Sequence, residues 1–423
     1  MRAEQQLGNR VDWSVVALYF VLVSLGWLNI FAVVYDPQQV DQSIFSLSLN
    51  SGRQLIWIGT SVVIIAVIML IDFRFYDSFA LLIYAAVILV LVGVLLFGRE
   101  IAGSKSWFTI GSFGLQPSEF AKFATALAVA KYISLNPKIF SAVKPQLILF
   151  VITLLPAVLI ILQGDTGTAM VYSALVIVFY REGFSPLLLG IGIAVAVLFV
   201  LTLYIDQVYL IIAAVVTAFL LIGVNTKKTR RIAVIAASTV SVIAVVVSVD
   251  LFMTHVLKPH QQNRVKALIN PDADPLGYGW NVTQSKIAIG SGGFWGKGFL
   301  EGTQTKFDFV PEQSTDFIFC TIGEEHGWLG SLLLIGLFVA LLIRVTTIAE
   351  RQKSIFARVY GYSVAAILFF HFAVNIGMTI GLFPVIGIPL PFFSYGGSSL
   401  WAFTILLFIL LKLDAHRMQL LTR

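Results

Sequence analysis

Long apolar runs separated by short polar connections set the pattern of this chain. Scanning for runs of about 17 to 25 residues gives roughly twelve segments, near 12–35, 54–71, 78–97, 117–135, 146–163, 167–181, 186–205, 207–224, 231–252, 317–343, 359–382 and 397–413. A helix rises about 1.5 Å per residue and a bilayer's hydrocarbon core is about 30 Å thick, so runs of this length predict membrane spans. Lipid offers backbone N–H and C=O groups no partner, so a chain crossing it must form helices or a closed barrel, and unbroken apolar runs select helices. The expected fold class is an all-α polytopic membrane protein, a bundle of about 10–12 transmembrane helices with a large ordered extracytoplasmic loop.

Composition agrees with the pattern. Of 423 residues, 58% are hydrophobic and 12% charged, and mean hydropathy is +0.91; a soluble domain carries about 25% charged residues. The net charge of +6 comes from basic clusters between apolar runs, which topology explains better than nucleic acid, and no nucleic-acid partner is expected. With the N-terminus inside, the inside segments hold most of the Lys and Arg, among them Arg74, Lys131, Arg181, Arg230, Arg231, Arg344, Arg351, Arg358 and Arg417, which places both termini in the cytoplasm. The polar start, Met1 to Arg10, precedes a run too long for a signal-peptide core, so no cleavage is expected. The single cysteine, Cys320, lies in an apolar run and reads as a small buried hydrophobe. Residues 253–316 are polar, far longer than a helix linker, and fall outside. Their aromatics, Trp280, Phe294, Trp295, Phe299, Phe307 and Phe309, argue for an ordered loop lying on the bundle.

Ionisable groups in or beside a span are costly to place there and are functional candidates by default, with pairing inside the bundle as the competing explanation. Four places stand out. Lys105 and Trp107 precede Gln116-Pro117-Ser118-Glu119, where Pro117 suits a first helical turn and Glu119 and Lys122, three apart, share a helix face. That pair reads equally as a structural ion pair or a substrate site, and Trp107 alone reads as a belt residue. Asp165 stands where two short spans meet and reads first as a cap. Asp316 ends the long loop, in the first turn of a helix that Ser314 or Thr315 can cap, and capping accounts for it adequately. The Pro/Gly-rich stretch from Phe383 to Ser399 predicts irregular backbone lining a cavity. His371 and Asn375, four apart, read as interhelical hydrogen-bonding groups.

Taken together, several motifs resemble the SEDS family of shape, elongation, division and sporulation proteins. They are Asn270-Pro271-Asp272-Ala273-Asp274-Pro275-Leu276-Gly277, Gln284-Ser285, Ile289-Gly290-Ser291-Gly292-Gly293, Gly302-Thr303-Gln304, Pro311-Glu312, Thr315-Asp316-Phe317-Ile318-Phe319, Gln116-Pro117-Ser118-Glu119 with Lys122, Asp165 with Gly167-Thr168-Ala169, and Pro389-Leu390-Pro391-Phe392 with Ser394 to Ser398. The Gly302-Thr303-Gln304 stretch is more similar to the family's elongation member than to its division member.

The resemblance implies a peptidoglycan glycosyltransferase of the bacterial cell membrane that polymerises lipid II and works with a class B penicillin-binding protein and other elongation-complex membrane proteins. It implies an essential role for Asp316 and carries substrate-site expectations onto Trp107, Glu119, Lys122, Asp165 and Ser398. The family usually shows about ten spans, which makes 207–252 an extra helix pair within a single domain covering 1–423. For that reaction Asp316 is the expected general base. Lys122, Lys105 and Arg264 are the candidate cations for the departing diphosphate, joined by an oxygen-bound Mg²⁺ or Mn²⁺ held partly by phosphate, with no organic cofactor. The rival readings are a flippase of the same lipid precursor and a scaffold that recruits wall enzymes.

Overall fold

The computed structural model describes residues 11–35, 43–101, 103–110, 113–224, 229–251, 255, 262, 278–307 and 309–418. Helices form along each apolar run. They are α1 (Trp13–Val34), α2 (Asn50–Leu70), α3 (Phe73–Ser78), α4 (Ala80–Phe97), α5 (Pro117–Leu135), α6 (Val143–Leu162), α7 (Thr166–Met170), α8 (Leu175–Arg181), α9 (Pro186–Tyr204), α10 (Gln207–Val224), α11 (Thr229–Leu251), α12 (Tyr278–Ser291), α13 (Thr303–Lys306), α14 (Ile318–Glu325), α15 (Gly327–Glu350), α16 (Ile355–Thr379) and α17 (Gly397–Ala415). Among the described residues, nine helices are long and apolar enough to cross a membrane: α1, α2, α4, α6, α10, α11, α15, α16 and α17. The chain is a multi-pass membrane protein.

Two compact units divide the chain, Met1–Gly183 with Asn281–Arg423, and Phe184–Trp280. The smaller unit holds α9, α10 and α11, so the pair expected over 207–252 falls in it beside α9.

Among the candidate spans of the larger unit α16 and α17 are the most enclosed, whereas α2 and α4 bury few of their side chains. Lipid tails give apolar helices little reason to separate from them, so close packing and interhelical hydrogen bonds must hold the bundle. Three such bonds fix α17. Thr404 Oγ1 lies 2.9 Å from Tyr19 Oη of α1, Trp401 Nε1 donates to Thr60 of α2 at 2.8 Å, and Tyr360 of α16 donates to the Leu406 carbonyl at 3.0 Å. Each contributes about 0.6 kcal/mol on average.

The structure departs from the sequence pattern in three places. The run at 317–343 is broken at His326 into α14 and α15, because Gly327 takes φ +63° and its backbone meets Gly296. The run at 167–181 is likewise divided, into α7, a 3₁₀ turn over Val171–Ala174, and α8. Between α4 and α5 the chain forms a three-stranded antiparallel sheet, β1 (Arg99–Ile101), β2 (Ser104–Ile110) and β3 (Phe113–Leu115), with Arg99 opposite Trp107 and Thr109 opposite Gly114. Trp107, Phe108, Thr109 and Ile110 in succession are strong strand formers.

One end of the larger unit is bound by ion pairs: Arg344 with Asp12 (2.7 Å), Arg351 with Asp414, Arg358 with Glu182 (2.8 Å) and Lys131 with Asp77 (3.0 Å). The starts of α5, α7, α14 and α17 gather at the opposite end.

Candidate active site

Four stretches far apart in sequence meet at that opposite end. The first is the start of α5. Pro117 opens the helix at a position where a missing N–H costs nothing. Gln116, just before it, donates its side-chain amide to Asp165 Oδ2 (2.9 Å), and its backbone N–H goes to Ser398 Oγ (3.1 Å). Asp165 caps α7 through the Thr168 N–H at 3.0 Å, as the sequence predicts, so one carboxylate serves both helices. Ser398 Oγ also lies 3.4 Å from the Gly114 carbonyl, and the Trp107 ring covers Gly114. Trp107, Gln116, Asp165 and Ser398 thus form one wall.

A second chain of contacts runs through the bundle. Lys122 Nζ is 2.8 Å from Glu119 Oε2 and 3.1 Å from His371 Nε2, and it lies 4.4 Å above the Phe403 ring. Glu119, Lys122 and His371 are all buried. The Pro389 carbonyl can only accept, so His371 donates from Nδ1 at 3.1 Å, and the neutral ring's Nε2 accepts from Lys122. The ammonium expected to face a diphosphate is therefore turned inward, onto Glu119, His371 and Phe403. Lys105 is placed differently again. Its Nζ donates to the Leu96 carbonyl at 3.1 Å, satisfying the C-terminal turn of α4, while its N–H goes to the Gln163 carbonyl. Arg264 and the motif over 270–277 lie outside the described residues.

Asp316 does not sit in a helix's first turn. The α14 helix begins two residues later at Ile318, and no side chain caps it. The N–H groups of Thr315, Asp316 and Phe317 converge instead on the Glu312 carbonyl, a turn made possible by Glu312 at φ +54°. Three consecutive carbonyls are then received by the other side of the site. Tyr395 N–H donates to Ser314 O (2.9 Å), Ser394 Oγ to Thr315 O (2.6 Å) and Asn375 Nδ2 to Asp316 O (2.8 Å). Asn375 also donates to the Ile388 carbonyl at 2.8 Å, so α16 grips Asp316 and the irregular strap 383–396 together.

That strap is irregular because its own partners are elsewhere. Gly387 takes φ +70° and a Cβ there would stand 3.3 Å from Asp316 Oδ2, which places the carboxylate over the strap. Gly167 allows α7 to touch it, since a Cβ would be 2.0 Å from the Ile386 carbonyl. The strap therefore brings Asp316, Asp165 and the His371–Lys122 pair around one short piece of backbone.

His371 bonds across helices to Lys122, as its spacing predicts, whereas Asn375 bonds no helix: the carbonyls it holds, Asp316 and Ile388, belong to irregular segments of the site. Glu324 was not singled out by sequence reasoning. Its carboxylate accepts from Lys297 (2.7 Å) and from the N–H groups of Thr303, Gln304 and Thr305 (2.7, 2.8 and 2.9 Å), fixing the Gly302-Thr303-Gln304 loop to α14. The signal available was a Glu-Glu pair inside an apolar run.

Among the described residues no three His, Cys, Asp or Glu side chains converge to hold a metal ion. Among these residues the donor set does not fit a protein-built metal centre.

Fold and site define a multi-pass membrane protein with a cluster of acidic and polar groups at one end of its helix bundle. The chain belongs to the FtsW/RodA/SpoVE family of cell cycle proteins, whose model matches residues 12–219 and 186–419. It is 34% identical over 434 residues to the peptidoglycan glycosyltransferase RodA of Treponema pallidum, covering 96% of this chain and 98% of that one. To the peptidoglycan glycosyltransferase MrdB of Escherichia coli K12 it is 33% identical over 371 residues, covering 87% and 86%. Among solved structures, a chain from work on coordination of polymerization and crosslinking by a peptidoglycan synthase complex superposes with TM-score 0.72 at 28% identity, covering 97% and 99%. The rod shape-determining protein RodA of Thermus thermophilus does so with TM-score 0.62 at 25% identity, covering 97% and 98%.

Proposed function

We propose that the chain is a peptidoglycan glycosyltransferase that polymerises lipid II into glycan strands during cell elongation, with Asp316 as its general base. The names of the Treponema and Escherichia relatives support the reaction. The observation that carries the residue assignment is the grip on Asp316: three carbonyls in a row are held from the strap and α16, while its carboxylate lies over Gly387. A base works at full effect only when its geometry is fixed before the reaction.

In the reaction the acceptor sugar's hydroxyl attacks the anomeric carbon of the donor. The bond from that carbon to the diphosphate breaks, and the hydroxyl proton passes to Asp316. Inversion at the anomeric carbon in a single displacement needs one base and no second carboxylate as nucleophile. Lys122 supports the site from behind, by holding His371 and hence Pro389. The charge that meets undecaprenyl diphosphate as it leaves is assigned to Lys105 and Arg264; an oxygen-bound Mg²⁺ or Mn²⁺ on the phosphates would add to it. Trp107, Gln116, Asp165 and Ser398 form the wall offered to the sugars, and Glu119 holds Lys122 in place.

The proposed setting is a bacterial cell membrane with both termini cytoplasmic, the ion-paired end of the bundle inside and Asp316 outside. A class B penicillin-binding protein is the proposed partner, together with other elongation-complex membrane proteins. The synthase complex that supplies one structural neighbour supports a crosslinking partner. Purified, detergent-solubilised protein supplied with lipid II and no ion gradient is expected to build glycan ladders, and to build them faster with its transpeptidase. Lipid II moved between leaflets of vesicles with no glycan formed would favour the flippase instead.

A further inference from the structure

The α15 helix leaves a continuous apolar stripe exposed along its length, Trp328, Leu332, Val339 and Ile343, at helical spacing. In a helix apolar enough to cross a membrane, that stripe faces lipid. Directly at its head, the chain over 292–298 does not leave as a free loop. Trp328 N–H donates to the Gly293 carbonyl (2.9 Å) and Leu329 N–H to the Phe294 carbonyl (3.2 Å), satisfying donors that the first turn of a helix otherwise leaves open. From the other side Lys297 N–H donates to the Glu324 carbonyl (3.0 Å) and Gly298 N–H to the Glu325 carbonyl (2.9 Å). The turn is stapled to the α14–α15 junction by four backbone bonds, and its height on the span is fixed.

On this fixed turn the aromatics face outward. Phe294 stacks on Trp328 with ring centroids 5.4 Å apart and planes at 19°, and Trp295 stands edge-on to Phe294 at 5.1 Å. Trp295 is 78% exposed and Trp328 57%. Rings this large are not left in water without cause. Their exposure is continuous with the lipid-facing stripe below, and Trp belongs at the level of the lipid headgroups, where its apolar body and polar N–H are both satisfied.

We propose that Phe294, Trp295 and Trp328 form an interfacial anchor that seats the turn over 292–298 in the headgroup layer of the leaflet on the site's side. The staple ends at Glu324 and Glu325, at one end of α14, and Asp316 lies two residues before its other end. The anchor therefore sets the depth of Asp316 relative to the membrane surface. It rests on α15 being a span and not on the reaction assigned to Asp316.

The test uses the full chain in lipid vesicles, as wild type and as Trp295→Phe, a change that keeps an aromatic ring on the turn. The difference between their fluorescence spectra isolates Trp295. Phosphatidylcholine brominated near the headgroup is expected to quench that difference signal more than phosphatidylcholine brominated near the tail end, and aqueous iodide is expected to leave it largely untouched. A Trp295 signal quenched by iodide and by neither lipid would place the turn in water and overturn the proposal. A signal shielded from iodide and from both lipids would mean that a protein surface covers the ring, which overturns it equally.

Discussion

Lys122 shows how a residue's chemistry is fixed by partners that sequence does not reveal. Its spacing from Glu119 gives the ion pair, but His371 lies 249 residues away and the Phe403 ring belongs to a third helix. With those partners in place the ammonium stabilises the wall behind the site. Removing one member of a buried pair strands the other charge, so Lys122→Ala is expected to cost about 3–5 kcal/mol and to lower the thermal transition. The double change Glu119→Gln with Lys122→Met should recover most of that loss. A Lys122→Ala protein as stable as wild type, with only its KM for lipid II raised, would show direct substrate contact instead. His371 and Asn375 were legible as a face of one helix, because i and i+4 positions always share one. That this face grips the backbone of Asp316 and Pro389 was not legible, since the carbonyls it binds belong to irregular segments with no periodic signal.

Among the elements, the apolar runs gave most helices to within a few residues, because lipid admits little else. The breaks at His326 and within 167–181 escaped the pattern, since hydropathy continues across them while the backbone turns. The first break creates a clasp whose two acids respond to pH in opposite directions. Both lie outside the span that begins at Gly327. Burial pushes the Glu325 carboxyl up from 4.5 to about 7, helped by the charge of Glu324 and opposed by nearby N–H groups and Lys306. For Glu324 the same burial is outweighed by Lys297 and the N–H groups of Gln304 and Thr305, which bring it down to about 2. A raised carboxyl favours the closed state below its ordinary value and stops doing so as pH rises through the folded value, whereas the Glu324 contribution is lost only on acidification below 4.5. Between about pH 5 and pH 8, amide protection over 297–306, corrected for intrinsic exchange, is therefore expected to fall with rising pH. Glu325→Gln should flatten that dependence, and an unchanged slope would remove Glu325 from the clasp.

At the scale of the whole molecule, membrane class and the set of segments that meet at the site were readable before any coordinates, the class from hydropathy and the segments from the family resemblance. The small sheet carrying Lys105 and Trp107 was not, because a dozen polar and aromatic residues between two spans carry too little pattern against so much apolar chain. In the proposed reaction a polyprenyl chain stays in the bilayer while its sugar reacts at the end of the bundle where the starts of α5, α7, α14 and α17 gather. That arrangement needs one acid held still, and Asp316 is the residue the fold holds. The most direct measurement is the polymerisation rate of purified Asp316→Asn on lipid II beside wild type, with helix content and thermal transition followed in the same samples. The expected result is a loss of about a hundred to ten-thousandfold in rate with folding unchanged; glycan synthesis at the wild-type rate would contradict the account.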